Sequence, residues 1–293
     1  MATLRELKTR IGSVASSEKI TGAMKMISSA KMHKAEQSLR RLAPFRTQVE
    51  GVIGSLLSAD TEFASPLLEE REVRRVAVIV FGSDDGLCGA YNVNMFKQLL
   101  VRVNELRAQY GTEVKIDIYP IGKKLTKASH AIELPTVKVV TLEGVDSKTS
   151  GDGVAVFVDD LRRRFEHGDI DRVETLYMHF RSVSRQILTS EQLLPVAMSS
   201  FSADESRQGS DYFIYEPSPA EIFRSVLPMY LLAVMHDVFT ENRASEQAAR
   251  VMAMQSANDN AKKLLDSLNL EYNKLRQQSI TTELLDILGG QVR

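Results

Sequence analysis

The chain has no tryptophan, a single cysteine among 293 residues, and only 6% aromatic residues. With one thiol, Cys88, no intrachain disulfide can form, and a reducing compartment fits. Few aromatics beside 11 methionines suit seams between helices better than a broad globular core. No uninterrupted apolar run approaches the roughly 18 residues that span a bilayer, so an inserted segment is not expected. An apolar signal-peptide core with a small-residue cleavage site is also missing. The basic start resembles a transit peptide only until Glu6 and Glu18 interrupt it. The net charge of -1 excludes a uniformly basic or acidic molecule. Residues 1–50 are nonetheless basic, with Arg5, Lys8, Arg10, Lys19, Lys25, Lys31, Lys34, Arg40, Arg41 and Arg46 against Glu6, Glu18, Glu36 and Glu50. A solvated helix face is the commoner meaning of such an excess, and an acidic protein partner the sharper one. Nucleic acid is not expected, because no aromatic or glycine-rich binding motif accompanies the charge.

The most telling absence is glycine. From Ala220 to Leu288 there is none, and proline occurs once, at Pro228. A stretch of that length without stop signals predicts one helix on the order of 100 Å long, at about 1.5 Å per residue. Ser218-Pro219-Ala220-Glu221 supplies an N-cap, a first-turn proline and a capping-box glutamate, and Gly289-Gly290 supplies the stop. No compact domain buries such a rod, so it needs a partner helix or partner proteins.

A second helix is expected over 3–57, with Leu4, Leu7, Ile11 and Val14 at 3-4-3 spacing. Ile20, Met24 and Ile27 resume the seam, then Ala35, Leu39 and Leu42, a kink at Pro44, and Val49, Ile53 and Leu56. In the long helix Ile222, Val226, Met229 and Ala233 form one seam and Ala261, Leu265, Leu268, Tyr272 and Leu275 another. Between them Ala244, Ala248, Gln255 and Asn258 make a small, polar stretch, expected to pair loosely. Heptad-like helices at opposite ends of a chain can pair antiparallel if the middle returns the backbone.

The middle changes period. Val76–Phe81 is a continuous apolar run, as in a strand buried on both faces. Strands are expected near 114–119, 136–142, 173–180 and 183–188, with helices near 94–110, 123–130 and 153–165. This alternation predicts a Rossmann-like α/β domain with a parallel sheet. The expected organisation is a coiled-coil helix over 1–58, an α/β domain over 73–199 and a second coiled-coil helix over 210–293, with linkers at 58–72 and 200–217.

Tests for chemistry find little. Gly82-Ser83-Asp84-Asp85-Gly86-Leu87-Cys88-Gly89 comes directly after the first strand, where phosphate loops sit in nucleotide folds. It lacks both GK[ST] and GxGxxG spacing, and paired aspartates repel phosphate, so a structural turn is the expectation. Cys88 reads as a buried small side chain. His33, His130, His167, His179 and His236 fit no metal-ligand spacing. Catalytic, metal and cofactor sites are therefore not expected.

Four motifs together carry a resemblance. Lys19–Met26 with Ala30-Lys31-Met32, and Asp84–Gly89 ending in Tyr91-Asn92, are two of them. The others are Ser245–Met254, and Tyr272–Gln277 continuing into Ile280-Thr281-Thr282-Glu283, Asp286 and Gly289-Gly290. In this order they resemble the gamma subunit of F-type ATP synthases over essentially the whole chain. The resemblance implies a rotor: an antiparallel coiled coil inside a ring of alternating alpha and beta subunits, and an α/β base beside epsilon and the membrane ring of c subunits. It implies no bond chemistry in the chain itself. By this resemblance Met24, Lys25, Glu246, Arg250, Arg276, Gln277 and Thr281 serve the alpha/beta ring, and Tyr215 and Glu216 meet epsilon and the c ring. Glu246 and Arg250, at i and i+4, also read as an exposed ion pair. Asp85 departs from the family pattern, which is usually basic or neutral there, and the paired-cysteine insert of chloroplast forms is missing. A bacterial plasma-membrane complex, reached peripherally from the cytoplasmic side, is the expected setting. Two other readings stand beside it: a coiled-coil scaffold or adaptor, and a nucleotide-dependent Rossmann enzyme.

Overall fold

The structure is a computed structural model that describes residues 3–57, 63–201 and 215–290. Most of both expected linkers, 58–62 and 202–214, and the start of the 210–293 segment lie outside the described residues.

Two long helices frame the molecule, α1 (Leu4–Leu57) and α5 (Pro219–Gly290). Thr3 and Glu6 cap α1 reciprocally: the Glu6 amide donates to Thr3 Oγ1 at 3.2 Å, and the Thr3 amide to Glu6 Oε2 at 2.8 Å. Ser218 caps α5 as expected, accepting from the Glu221 amide at 3.3 Å. Neither Pro44 nor Pro228 ends its helix. Gly289 and Gly290 are still helical, and residues 291–293 lie outside the described residues.

The helices run antiparallel, as three cross-links in opposite sequence order show. Tyr215 Oη donates to the Ser55 carbonyl at 3.2 Å, Arg46 lies 3.5 Å from Asp237, and Asn258 Nδ2 donates to the Glu18 carbonyl at 2.7 Å.

Between them lie β1 (Arg75–Phe81), α2 (Tyr91–Tyr110), β2 (Lys115–Ile121), α3 (Lys123–Ser129), β3 (Val137–Val139), α4 (Asp152–Glu166), β4 (Arg172–Ser182) and β5 (Arg185–Leu194). The sheet order is β3-β2-β1-β4-β5. The first three pairings are parallel, but β5 is antiparallel to β4. Only Val183 and Ser184 separate those two strands, and a parallel partner would need a long crossover. The sheet is thus mixed at one edge rather than wholly parallel.

Side chains alternate across β1, giving two cores. Val76, Val78 and Val80 meet Met95, Leu99 and Val103 of α2. Ala77, Ile79 and Phe81 meet α4, α5 and the end of α1. On that second face Phe81 and Phe239 pack edge to face with ring centres 4.9 Å apart.

The helix seams differ from expectation in three places. The root of α5 buries Phe223, Leu227, Leu231, Val234 and Val238, whereas Met229 is 46% exposed. The sheet, and not α1 alone, sets which face turns inward. In α1, Ile20 and Ile27 are 62% and 51% exposed, while Ser28, Met32 and Ala35 are buried. The small, polar stretch is not loose: Ala244, Ala248 and Asn258 are 0%, 0% and 7% exposed. Small side chains there let α5 approach the sheet and α1 closely. An added Cβ at Gly22 would stand 3.4 Å from Asn258 Nδ2.

One expectation about apolarity also changes. An 18-residue window of α5 reaches a mean hydropathy of 1.4 without being an unbroken apolar run, and 56% of it is buried within the protein. The buried root of α5 accounts for such apolarity as core, since it packs on the sheet.

Candidate functional site

In open α/β sheets, ligands enter a crevice at the carboxyl ends of the strands, where strand order reverses. Here the reversal lies between β1 and β4, and α5 fills that crevice. Asn242 Nδ2 donates to the Gly82 carbonyl at 3.1 Å, while its Oδ1 accepts from the Tyr91 hydroxyl. Ser245 Oγ donates to the Met178 carbonyl, within β4 and just past its pairing with β1, at 2.8 Å. Asn242 and Ser245 are 1% and 0% exposed. The backbone that would cradle a nucleotide is occupied by the protein's own helix.

The loop after β1 is built for this closure. Gly122 adopts φ +105°, and an added Cβ would stand 2.9 Å from Ser83 backbone atoms, so only glycine fits the approach of the two loops. Asp84 turns inward, accepting from the Lys123 amide at 3.0 Å and from Ser147 Oγ at 2.6 Å. Burial pushes its carboxyl up, but the hydrogen bonds from Ser147 and Lys123 outweigh that and hold it below its ordinary value. Asp85 points out, 3.6 Å from Lys148. Cys88 is buried at 3% exposure.

Arg250 locks the loop to the helix. Its Nε donates to the Gly86 carbonyl at 3.0 Å, and its Nη2 donates to the Asp85 carbonyl at 3.1 Å and to Glu246 Oε1 at 2.7 Å. The Glu246–Arg250 pair is therefore not the exposed one its spacing suggests; the residues are 3% and 4% exposed. Burial raises the Glu246 carboxyl, and the Arg250 guanidinium pulls it back only in part. A second lock joins α5 to β4, where His179 Nδ1 lies 2.8 Å from Glu241.

The remaining residues singled out in the sequence are dispersed along the rod. Met24 and Lys25 are half-buried on α1. Arg276, Gln277 and Thr281 stand exposed near the far end of α5, where Thr281 Oγ1 only returns to the Gln277 carbonyl at 2.9 Å. Tyr215 is half-buried and Glu216 exposed beside the root of α5. Sequence reasoning missed the outward apolar residues Ile20, Met26 and Ile27, assigning Ile20 and Ile27 to the seam. Also missed was the bond from Arg250 to the loop, which spans more than 160 residues of chain.

A family model described as ATP synthase matches residues 3–292. The ATP synthase gamma chain of Phocaeicola vulgatus is 41% identical over the full length of both chains, and that of Bacteroides fragilis 42%. The chain belongs to the ATP synthase gamma chain family. Among solved structures, a chain of the Euglena gracilis mitochondrial ATP synthase (OSCP/F1/c-ring) matches with a TM-score of 0.63 and 20% identity, covering 98% of this chain and 93% of that one. A chain of the Tetrahymena thermophila central stalk and c-ring matches with a TM-score of 0.54 and 20% identity, covering 81% and 99%. Those two likenesses establish the fold. In this chain the filled crevice and the Arg250 bonds to the loop after β1 tie the shaft to the base.

Proposed function

We propose that the chain is the non-catalytic rotor shaft of an ATP synthase, coupling rotation of a c ring to affinity changes at catalytic sites on beta subunits. The observation that carries this reading is the asymmetry of α5. Its root is sealed by the sheet, whereas Leu284, Leu285, Ile287 and Leu288 at the other end are 56–62% exposed. An apolar, uncovered helix end suits burial by a surrounding partner. A bent or off-centre rod then presents a different face to each beta subunit and shifts each between conformations.

In this reading Arg276, Gln277 and Thr281 touch the alpha/beta ring from the exposed end, and Met24 and Lys25 do so from α1 beside the outward Ile20 and Ile27. Tyr215 and Glu216 meet epsilon and the c ring. Glu246 and Arg250 act from inside, holding the shaft to the loop after β1 so that torque passes between base and rod. The working units are the two coiled-coil helices (1–58 and 210–293) and the α/β base (73–199). The complex sits at the bacterial inner membrane with this chain peripheral on the cytoplasmic side. The deciding experiment mixes the chain with cognate alpha and beta subunits. A stable assembly whose ATPase activity depends on the chain is expected; no assembly would overturn the reading.

A further inference from the structure

Beside the Arg250 lock, with Glu246 in its wall, is a cavity of about 260 Å³. It lies where α1, α5, the loop after β1 and the loop before α4 converge. Lys31 and Lys34 enter from α1, Lys148 from the loop before α4, and Arg243 from α5, against Asp85 and Glu246. Both acids are already engaged, Glu246 with Arg250 at 2.7 Å and Asp85 with Lys148 at 3.6 Å. Among the described residues, Lys31, Lys34 and Arg243 have no carboxylate within salt-bridge distance. Arg243 donates only to backbone carbonyls, of Thr149 at 3.0 Å and Ser147 at 3.4 Å. The cavity is therefore left with an excess of positive charge.

A second observation marks an unmet hydrogen-bonding group in the cavity wall. Gln247 lines the cavity and is only 8% exposed, yet its Oε1 has no hydrogen-bond partner among the described residues. Buried amides are rarely left so, and each such group calls for an explanation. Turned end for end, the amide would put its NH₂ at the place of this orphaned acceptor. It can then donate to an anionic oxygen, or, unturned, accept from the O–H of monohydrogen phosphate.

We propose that this cavity binds a free phosphate ion, clamped between Lys31 and Lys34 of α1, Arg243, and the Gln247 amide. The volume falls below the roughly 300–1,000 Å³ of sites that enclose larger ligands, which favours a phosphate over a whole nucleotide. A guanidinium and two ammonium groups together carry more positive charge than the ion carries negative, so they can neutralise it. Bound there, phosphate ties α1 to α5 and to the loop before α4, stiffening the joint between rod and base. The site is separate from the crevice filled by α5, and its test does not depend on the rotor reading.

Titration of the full chain with inorganic phosphate, followed by calorimetry and by the ³¹P NMR shift at constant ionic strength, tests the proposal. Saturable binding of one phosphate is expected, with ADP binding more weakly. Replacing both exposed lysines, Lys31→Gln with Lys34→Gln, is expected to weaken phosphate binding by about tenfold or more, with unchanged helicity. Gln247→Leu is expected to weaken it further when combined with the lysine pair. Absence of saturation, equal affinity in the lysine double variant, or tighter binding of ADP than of phosphate would each overturn it. The variants are read by binding alone, so failure of the alpha/beta assembly would leave this result intact.

Discussion

Around Phe223–Phe239 the apolar side chains of α5 are closed over by the sheet, α4 and the end of α1. From Ile280 to Leu288 the same helix holds similar side chains, and those at 280, 284, 285, 287 and 288 are 45–62% exposed. Both ends are helical and carry large apolar side chains, and the root does so despite Pro228, so helix propensity does not explain the contrast. What differs is the supply of partners inside the chain: α1 begins at Leu4, and among the described residues the apolar side chains of the last turns of α5 are left uncovered. The root is stabilised by its own fold, and in the proposed reading the far end is left for a surface that other chains provide. Substitutions should therefore divide by region. At the root they should unfold the isolated chain, and at the far end they should spare it and disturb assembly.

The largest effect is expected at Phe239, which packs edge to face on Phe81 at 4.9 Å and on Phe157 at 6.4 Å. Phe239→Ala should cost about 3–5 kcal/mol, through lost burial and the cavity left behind, in denaturant unfolding of the isolated chain. A loss as small as that of an exposed site would mean that the root of α5 is not part of the base. Arg250→Ala should come next at about 3 kcal/mol, since it strands the buried Glu246 carboxylate and two loop carbonyls. Replacing both partners with apolar residues, Glu246→Leu with Arg250→Met, should restore the share due to the stranded carboxylate while the two loop carbonyls stay unpaired. Coupling in the assembled complex should remain impaired, because the loop is no longer held.

A smaller effect, confined to acid, is expected in the sheet at Glu174. The residue is 2% exposed and accepts from Arg102 Nε at 2.7 Å and Arg172 Nε at 2.6 Å. Burial pushes its carboxyl up, but the two arginines outweigh burial and leave it below its ordinary value. A depressed carboxyl stabilises the fold above its unfolded value near 4.5, and that contribution fades as pH falls through the lower folded value. Melting temperature should accordingly drop on acidification, and Glu174→Gln should flatten that part of the profile. An unchanged slope in the variant would assign the acid sensitivity to other carboxylates.

These regions also differ in how much of them could be read from sequence. The two long helices, the buried β1 run and the Ser218 cap were legible because each rests on neighbours in the chain. The Thr3–Glu6 capping box is equally local, though sequence reasoning missed it, and the antiparallel β5 is implied by the two residues that separate it from β4. The inward face of the α5 root was not legible, because Phe223, Leu227 and Leu231 join a core shared by the sheet, α4, the end of α1 and Phe63 rather than a two-helix seam. Ile20 and Ile27 fit a seam by periodicity, yet Asn258 meets α1 at Glu18 and Thr21 and the seam turns with that contact. The lock of Arg250 on Asp85 and Gly86 is a meeting of distant segments, visible only once the crevice and its helix are in place.

The sharpest test of the contrast is the variant expected to do least to the chain alone. Arg276 is exposed near the far end of α5, among residues with few contacts inside the molecule. Arg276→Ala replaces it with the best helix former, so helicity should hold and stability should stay within about 0.5 kcal/mol. In the assembled complex the same change should lower coupled activity, because a planar guanidinium that can fork onto a partner's carboxylate or carbonyl is gone. Arg276→Lys keeps the charge and loses the fork, so it should fall between the two. If Lys restores full coupling, charge alone is used at this position; if Ala destabilises the free chain, the far end has internal partners and the division between root and end fails. A fall in coupling with an unaltered free chain is the outcome that separates a contact made with other subunits from one made within the fold.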